Sequence, residues 1–247
     1  MEKVLYSELT PHEFRARIQH APIAYLPLGT LEWHGEHLPL GADGIQSSGF
    51  FQLLARRVGG IVLPMLFLGP DRVRDVGGRE LYGMDFCTNS PDKRYPEGQM
   101  DGSAYWVPDG LFSTMLDGIM KQLARAGFKI VVAHGHGPST GAFGESIPAF
   151  RERYDLRCFN CWGSAGDGEG LGLQVDHAAM NETSLTMALR PDLVRMENLP
   201  QDLSVWPVAI NGKDPRIHAS AELGRAILAE QVDRMAALLQ EALERGR

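Results

Sequence analysis

Cysteine is scarce in this chain: Cys87, Cys158 and Cys161 are the three in 247 residues. An odd number argues against a disulfide framework. Cys158 and Cys161 form a lone C-x-x-C, a spacing that a redox pair or half a zinc site could use. No second C-x-x-C exists, and Cys158 lies in a short strand-like segment. Both are therefore expected to be buried or half-buried thiols in a reducing compartment. Runs of Lys and Arg are lacking too, and the formal net charge is −7. That argues against nucleic acid or an anionic membrane surface as partner. No apolar run approaches the roughly 20 residues that span a bilayer. The opening MEKVLYSELT holds no apolar signal core. The expectation is a soluble, cytoplasmic protein. No internal repeat is visible. With 44% hydrophobic residues, one substantial core is affordable, so one domain over 1–247 is expected.

Strands and helices alternate along what is there. Thr10-Pro11-His12-Glu13 is a helix start: a capping residue, Pro at the first helical position, and Glu three after the cap. That helix should run to about Gln19. A strand over Ile23 to Leu28, a helix from Gly44 to Val58 and a strand from Ile61 to Phe67 follow. Residues 68–108 are rich in Gly, Pro, Asp and Arg and show little periodicity. A stretch that long is usually functional, and here it could cover a site or contact another subunit. Next come an amphipathic helix over 111–124, a strand from Phe128 to Ala133, a helix over 141–149 ending or breaking near Pro148, and a short strand from Leu156 to Phe159. Gly163 to Gly172 reads as a flexible loop. Leu223, Ile227, Leu228, Met235 and Leu239 mark the inner side of a last helix over 219–244. This alternation predicts an α/β layer fold with a mainly parallel sheet.

The chemistry-bearing residues cluster at strand ends. Leu26 to Asp43 reads LPLGTLEWHGEHLPLGAD, placing Glu32, His34 and Asp43, with His37 close by, after the first strand. Desolvating carboxylates and imidazoles is costly unless something pairs with them, and a divalent metal is the simplest partner. Glu32 and His34 alternate by two, so in extended chain they share a side. Asp43 falls where the next helix begins. A lone His at a strand end is more often a satisfied polar group than a ligand. The odds change because a second apolar run, FKIVVA, ends in His134-Gly135-His136-Gly137. Two strand ends with alternating ligand-type side chains could build one site, outside the carboxyl ends of a sheet. A third cluster is Asp176-His177, followed by Asn181-Glu182-Thr183-Ser184. The latter part also reads as a helix start, since Asn, Thr and Ser are capping types.

These segments resemble the creatininase (creatinine amidohydrolase) family. LPLGTLEWHGEHLPLGAD is similar to the pattern LPxGSxEQHGxHLPLxTD. AHGHG at 133–137, DHAAMNETS at 176–184 and NGKDPRIHASAELGRAIL at 211–228 follow in the family's order. Region 68–108 matches poorly. The resemblance implies a three-layer α/β/α sandwich, commonly assembled as a hexamer, with a two-metal site. By position, Glu32 is implied as ligand of one metal, His34 of the other, Asp43 as the bridge, and His134 as completing the first. His136 stands where creatininase has a Glu on the second metal, so it is the implied ligand there. His177 matches the catalytic His, and Asp176 could hold its ring. Glu182 matches the Glu of the ETS segment, ligating or orienting. Trp162 could be an aromatic substrate wall.

The implied activity is hydrolysis of a non-peptide C–N bond, a cyclic amide or formamide, in a small nitrogenous metabolite. Two divalent ions per chain (Zn, Mn or Fe) would activate the water. His177 would then handle the proton for the leaving nitrogen. The run GHGPST at 135–140, with Gly135 where creatininase has a substrate-contacting Tyr, argues against creatinine. The competing expectations are a non-catalytic family member that binds a metabolite or protein partner, and a thiol redox protein using Cys158 and Cys161. Filled ligand positions favour the enzyme.

Overall fold

The structure is a computed structural model that describes residues 3–86, 95–164 and 172–245. Its centre is a sheet of four parallel strands in the order β2-β1-β5-β6, with β1 Ile23–Leu28, β2 Ile61–Val62, β5 Ile130–Gly135 and β6 Arg157–Asn160. Every residue of β1 and β5 is buried. That fits their near-continuous apolar runs, which are typical of strands covered on both faces. Successive side chains point to opposite faces. Ile23, Tyr25, Ile130 and Val132 join a core with Phe50, Phe51 and Leu54 of α2 (Ala42–Val58), Leu185 of α6 (Met180–Leu189), and Ile227 and Met235 of α8 (Ala221–Glu244). Ala24, Leu26, Leu28, Val131 and Ala133 join the other core with Phe112, Leu116 and Met120 of α3 (Asp109–Arg125) and Phe143 and Phe150 of α4 (Gly137–Tyr154). The molecule is thus a three-layer α/β/α sandwich, as expected. Among the described residues, no helix is long and apolar enough to cross a membrane.

Local chemistry sets most boundaries. The helix α1 (Pro11–His20) opens on the full capping box, with Thr10 accepting from the Glu13 N–H and Glu13 returning a bond to the Thr10 N–H. Elsewhere the expectations need correction. The second strand stops at Val62, because Pro64 has no N–H for a ladder; the chain rejoins β1 only at the Leu28–Leu66 bridge. The helix α4 runs through Pro148 to Tyr154. Pro148 sits on its exposed side, where the freed carbonyl can meet water, while Phe143 and Phe150 anchor the buried side. Within 68–108 there is an antiparallel hairpin, β3 (Val73–Val76) and β4 (Arg79–Tyr82), turning at Gly77-Gly78. A two-residue Gly-Gly loop is a hairpin signal, masked here by the charged residues around it. Cys87 and most of the expected loop 163–172 lie outside the described residues.

Helix α6 starts at Met180, so Asn181, Thr183 and Ser184 are inside it and do not cap it. Its cap comes from upstream: the Asp176 carboxylate accepts from the N–H groups of Asn181 (2.7 Å) and Glu182 (3.1 Å). The short helices α5 (Cys161–Ser164) and α7 (Pro215–His218) complete the chain.

Topology places the site. β1 is followed by β2 on one side and, after the 68–108 excursion and α3, by β5 on the other. The order therefore reverses between β1 and β5, where α/β sheets open a crevice. Their register pairs Pro27 with His134 and Leu28 with Gly135, so both strands end at the same level. Gly135 has φ of 139°, and a Cβ there would stand 1.6 Å from the Leu28 carbonyl oxygen. Only glycine lets the chain turn there to aim His136.

Helices α6 and α8 cross at backbone contact. A Cβ on Gly224 would stand 1.9 Å from the Ser184 carbonyl oxygen and 2.9 Å from the Ala188 methyl. Gly224→Ala should therefore cost about 1–3 kcal/mol through overpacking. Gly118→Ala, in α3 with open space around it, should gain up to about 1 kcal/mol from helix propensity. Denaturant unfolding of the two variants checks the contrast.

Candidate metal centre

The chain after β1 is pinned by the Leu31–Ala104 bridge and by the Trp33 N–H donating to Ser103 Oγ (3.0 Å). His34 donates from Nδ1 to the Glu32 carbonyl (3.0 Å). That fixes its tautomer and turns Nε2 toward Asp43 Oδ1 (3.2 Å) and Glu182 Oε2 (3.6 Å). His136 is held the same way. Its Nδ1 bonds Ser139 Oγ at 3.0 Å, and its Nε2 faces Asp71 Oδ2 (3.4 Å) and Glu32 Oε2 (3.9 Å). An imidazole fixed at one nitrogen, with the other aimed at carboxylates, is the arrangement of a metal ligand. Asp43 lies in the first turn of α2, His136 caps α4 and Glu182 lies in the first turn of α6. Three helix N-termini, whose dipoles favour negative charge, thus converge on the cluster.

Donor atoms of Glu32, Asp43 and His136 lie within 4.8 Å of one another. So do those of His34, Asp43 and Glu182, and those of Glu32, His34 and His177. Asp43 is shared by the first two groups. The donors are all carboxylate oxygens and imidazole nitrogens, and His34 and His136 pair with the carboxylates of Asp43, Glu182, Glu32 and Asp71. Burial lifts Glu32 to about 7 and raises Glu182 well above the usual carboxylate range. Burial would lower His34, but Asp43, Glu182 and Glu32 around it win and lift it to about 10. Burial likewise disfavours the Asp43 charge, yet the His34 ring beside it holds the carboxyl low. Without cations the cluster must hold protons to balance its own charge. Divalent ions relieve that, so the donor set fits a metal centre.

The expected residues differ in where their polar atoms face. His134 belongs to none of the three donor groups. Its Nδ1 bonds Ser47 Oγ (3.1 Å), its Nε2 finds no hydrogen-bond partner, and Trp162 stands edge-on 5.6 Å away. His136, in turn, joins the Glu32 group, and Glu182 takes the place beside His34. His37 bonds Thr183 through Nε2 (2.8 Å), tying the 30–41 loop to α6. Asp176 does not hold the His177 ring, because both its oxygens cap α6. The Trp33 carbonyl does so instead, accepting from Nε2 at 2.8 Å. His177 stacks on His34 with ring centroids 4.4 Å apart. Burial and the neighbouring His34 push it down to about 3.

Three residues escaped the sequence reading. Asp71 faces His136. Gln174 donates to the Asp43 carbonyl (2.9 Å), and Gln46 donates to the Glu182 carbonyl (3.2 Å) and to Thr186 Oγ1. No spacing marks the glutamines, and Asp71 falls in the segment flagged for length alone. The cleft above the cluster holds about 180 Å³ and is lined by Glu32, Asp43, Asp71, Trp162, His177 and Glu182 among others. The thiols are not poised for redox work: burial pushes Cys158 up to about 12 and raises Cys161 further.

The family profile described as Creatininase: Creatinine amidohydrolase matches residues 7–78 and 96–239. A creatinine amidohydrolase of Pseudomonas putida is 30% identical over 217 residues, covering 80% of this chain and 76% of its own. A crystal structure of creatinine amidohydrolase (creatininase) superposes with a TM-score of 0.74 at 22% identity, covering 98% of each chain. A structure described as creatininase Mn gives 0.73 at 22%, covering 98% of this chain and 99% of its own.

The charge balance predicts a pH signature for the metal-free protein. The fold holds protons on Glu32 and His34 that the unfolded chain releases earlier. Stability therefore falls as pH rises from 4.5 to about 7 for Glu32 and from 6.5 to about 10 for His34. His37, His134 and His177 are shifted down and act only below 6.5. Above that pH the slope has one sign. In chelator, the melting temperature should fall steadily from pH 6.5 to 9, and saturating Zn²⁺ or Mn²⁺ should flatten the curve. A flat curve in chelator would contradict the charge balance.

Proposed function

This chain belongs to the creatininase family of amidohydrolases, and we propose that it hydrolyses a non-peptide C–N bond, a cyclic amide or formamide, in a small nitrogenous metabolite. The observation that carries this reading is the pair of donor groups, Glu32–Asp43–His136 and His34–Asp43–Glu182, sharing one carboxylate. They would hold two divalent ions, with Asp43 between them. Zn²⁺, Mn²⁺ and Fe²⁺ all suit mixed carboxylate and imidazole donors, and one solved relative is described as a manganese form. When bound, such a pair acidifies water and draws charge from a carbonyl oxygen.

The chain's own residues do the rest. With Nε2–H given to Trp33, His177 keeps its lone pair on Nδ1. Burial keeps that ring neutral, so it begins the reaction as a proton acceptor. It takes the proton released as the water oxygen bonds the carbonyl carbon, and delivers it to the nitrogen as the C–N bond breaks. Trp162 walls one side of the cleft. A cleft of about 180 Å³ suits a small metabolite rather than a peptide. The GHGPST run at 135–140 argues for a substrate other than creatinine. We place the enzyme in the cytoplasm as a homo-oligomer. Its self-association is supported by an apolar groove lined by Leu63, Leu66, Met115 and Ile119.

A screen of formamides and cyclic amides with metal-loaded protein tests the activity; silence across both classes with metals bound would favour a binding role. Elemental analysis should find up to two divalent ions per chain, and Asp43→Ala should lose both. Unchanged metal content in that variant would refute the bridge. His177→Ala should keep its metals and turn over about 10²–10⁴-fold more slowly. Lost metal, or near-normal turnover, would show that His177 is a ligand or a bystander.

A further inference from the structure

The 68–108 excursion delivers the Asp71 carboxylate into the donor cluster, and nothing in the mechanism uses it. The Asp71 side chain is 3% exposed. Its Oδ1 accepts the Arg72 N–H at 2.6 Å, which aims Oδ2 inward at His136 Nε2, 3.4 Å away. That separation is long for an N–H···O bond, whose range is about 2.7–3.2 Å. Asp71 stands outside the three donor groups, but its 3.4 Å approach to His136 matches the spacing of two donors on one ion. Donors about 2.0–2.2 Å from a tetrahedral metal stand roughly 3.4 Å apart. His136 Nδ1 is engaged by Ser139, so Nε2 is the nitrogen left to bind. Glu32 completes the picture, with Oε2 3.9 Å from the same Nε2. A Cβ on Gly83 would stand 2.3 Å from Asp71 Oδ2 and 2.7 Å from Glu32 Oε1. The backbone at 83 thus packs directly on both carboxylates, and a side chain there would drive them aside.

We propose that Asp71 is a fourth protein ligand of the ion held by Glu32, Asp43 and His136, so that this position is closed by the protein. The inference rests on the metal-centre reading above. The other position, His34–Asp43–Glu182, has three protein donors, and two of them, Asp43 and Glu182, line the cleft together with His177. For zinc, four protein ligands mark a structural position and three mark a catalytic one. The two ions therefore divide the work: the Asp71 ion is held fast and positions Asp43, and the other meets substrate. Asp71 also completes the charge balance, since four carboxylates meet two divalent ions.

The test is Zn²⁺ titration of the metal-free, full-length protein against a chromophoric chelator. Wild type should bind two ions, the tighter being the Asp71 ion. In Asp71→Asn the tighter ion should weaken by more than the ~10–100-fold that follows loss of a group that merely orients a ligand. The weaker ion should change little. Asp71→Glu, which keeps the oxygens, should lose less and on the same ion; it also serves if Asp71→Asn fails to fold. With Co²⁺ in the tight position, the visible spectrum should change in Asp71→Asn, as a ligand change requires. Two ions bound with wild-type affinities, or equal weakening of both, would overturn the assignment. Absence of any bound ion in wild type would instead defeat the metal-centre reading itself.

Discussion

Buried carboxylate charge is the constraint around which this molecule is organised. Glu32, Asp43, Asp71 and Glu182 lie in one desolvated cluster, and the basic groups paired with them are imidazoles. A carboxylate out of water is costly until something offsets it. The fold offers partial offsets: three helix N-termini point at the cluster, and Nε2 of His34 and of His136 is turned to face oxygen. Those devices orient the donors without neutralising them. The remaining demand is what makes divalent ions a natural complement, and Asp43 is common to two of the donor groups.

The sheet makes that cluster possible. Fully buried β1 and β5 pair in parallel and end together, so clusters about a hundred residues apart in sequence become neighbours. The other elements close the ring around this fixed edge. Helix α6 brings Glu182, with Asp176 capping it and Gln46 holding its first turn from α2. The 68–108 excursion, which carries the β3–β4 hairpin, brings Asp71. Each contribution is tied by a hydrogen bond to a backbone group, so the donors sit on rigid supports.

Much of the architecture is legible in the sequence. Alternating apolar segments gave the parallel sheet, and Thr10 to Glu13 gave the first helix start. Errors came where one local signal outweighed a tertiary one. Pro148 reads as a helix end, yet burial of Phe143 and Phe150 on either side carries α4 past it. Ile61 to Phe67 reads as a strand, yet Pro64 cannot join a ladder. Asn181, Thr183 and Ser184 read as caps, yet Asp176 was already in place to do that.

Residue identity and spacing pointed to candidate donors: Glu32, His34 and Asp43 after one strand, His134 and His136 at the end of another, and Glu182 at a helix start. Spacing could not say which of these side chains face one another. His134 and His136 alternate by two and look equivalent along the chain. The turn at Gly135 separates them, leaving His134 among Ser47 and Trp162 and sending His136 to Glu32 and Asp71. Grouping depends on distances between atoms from different elements, and those are set by strand register and helix packing. Asp71 shows the same limit. An aspartate in an irregular segment has no periodicity to announce it, and it gains its meaning only when packing buries it beside an imidazole.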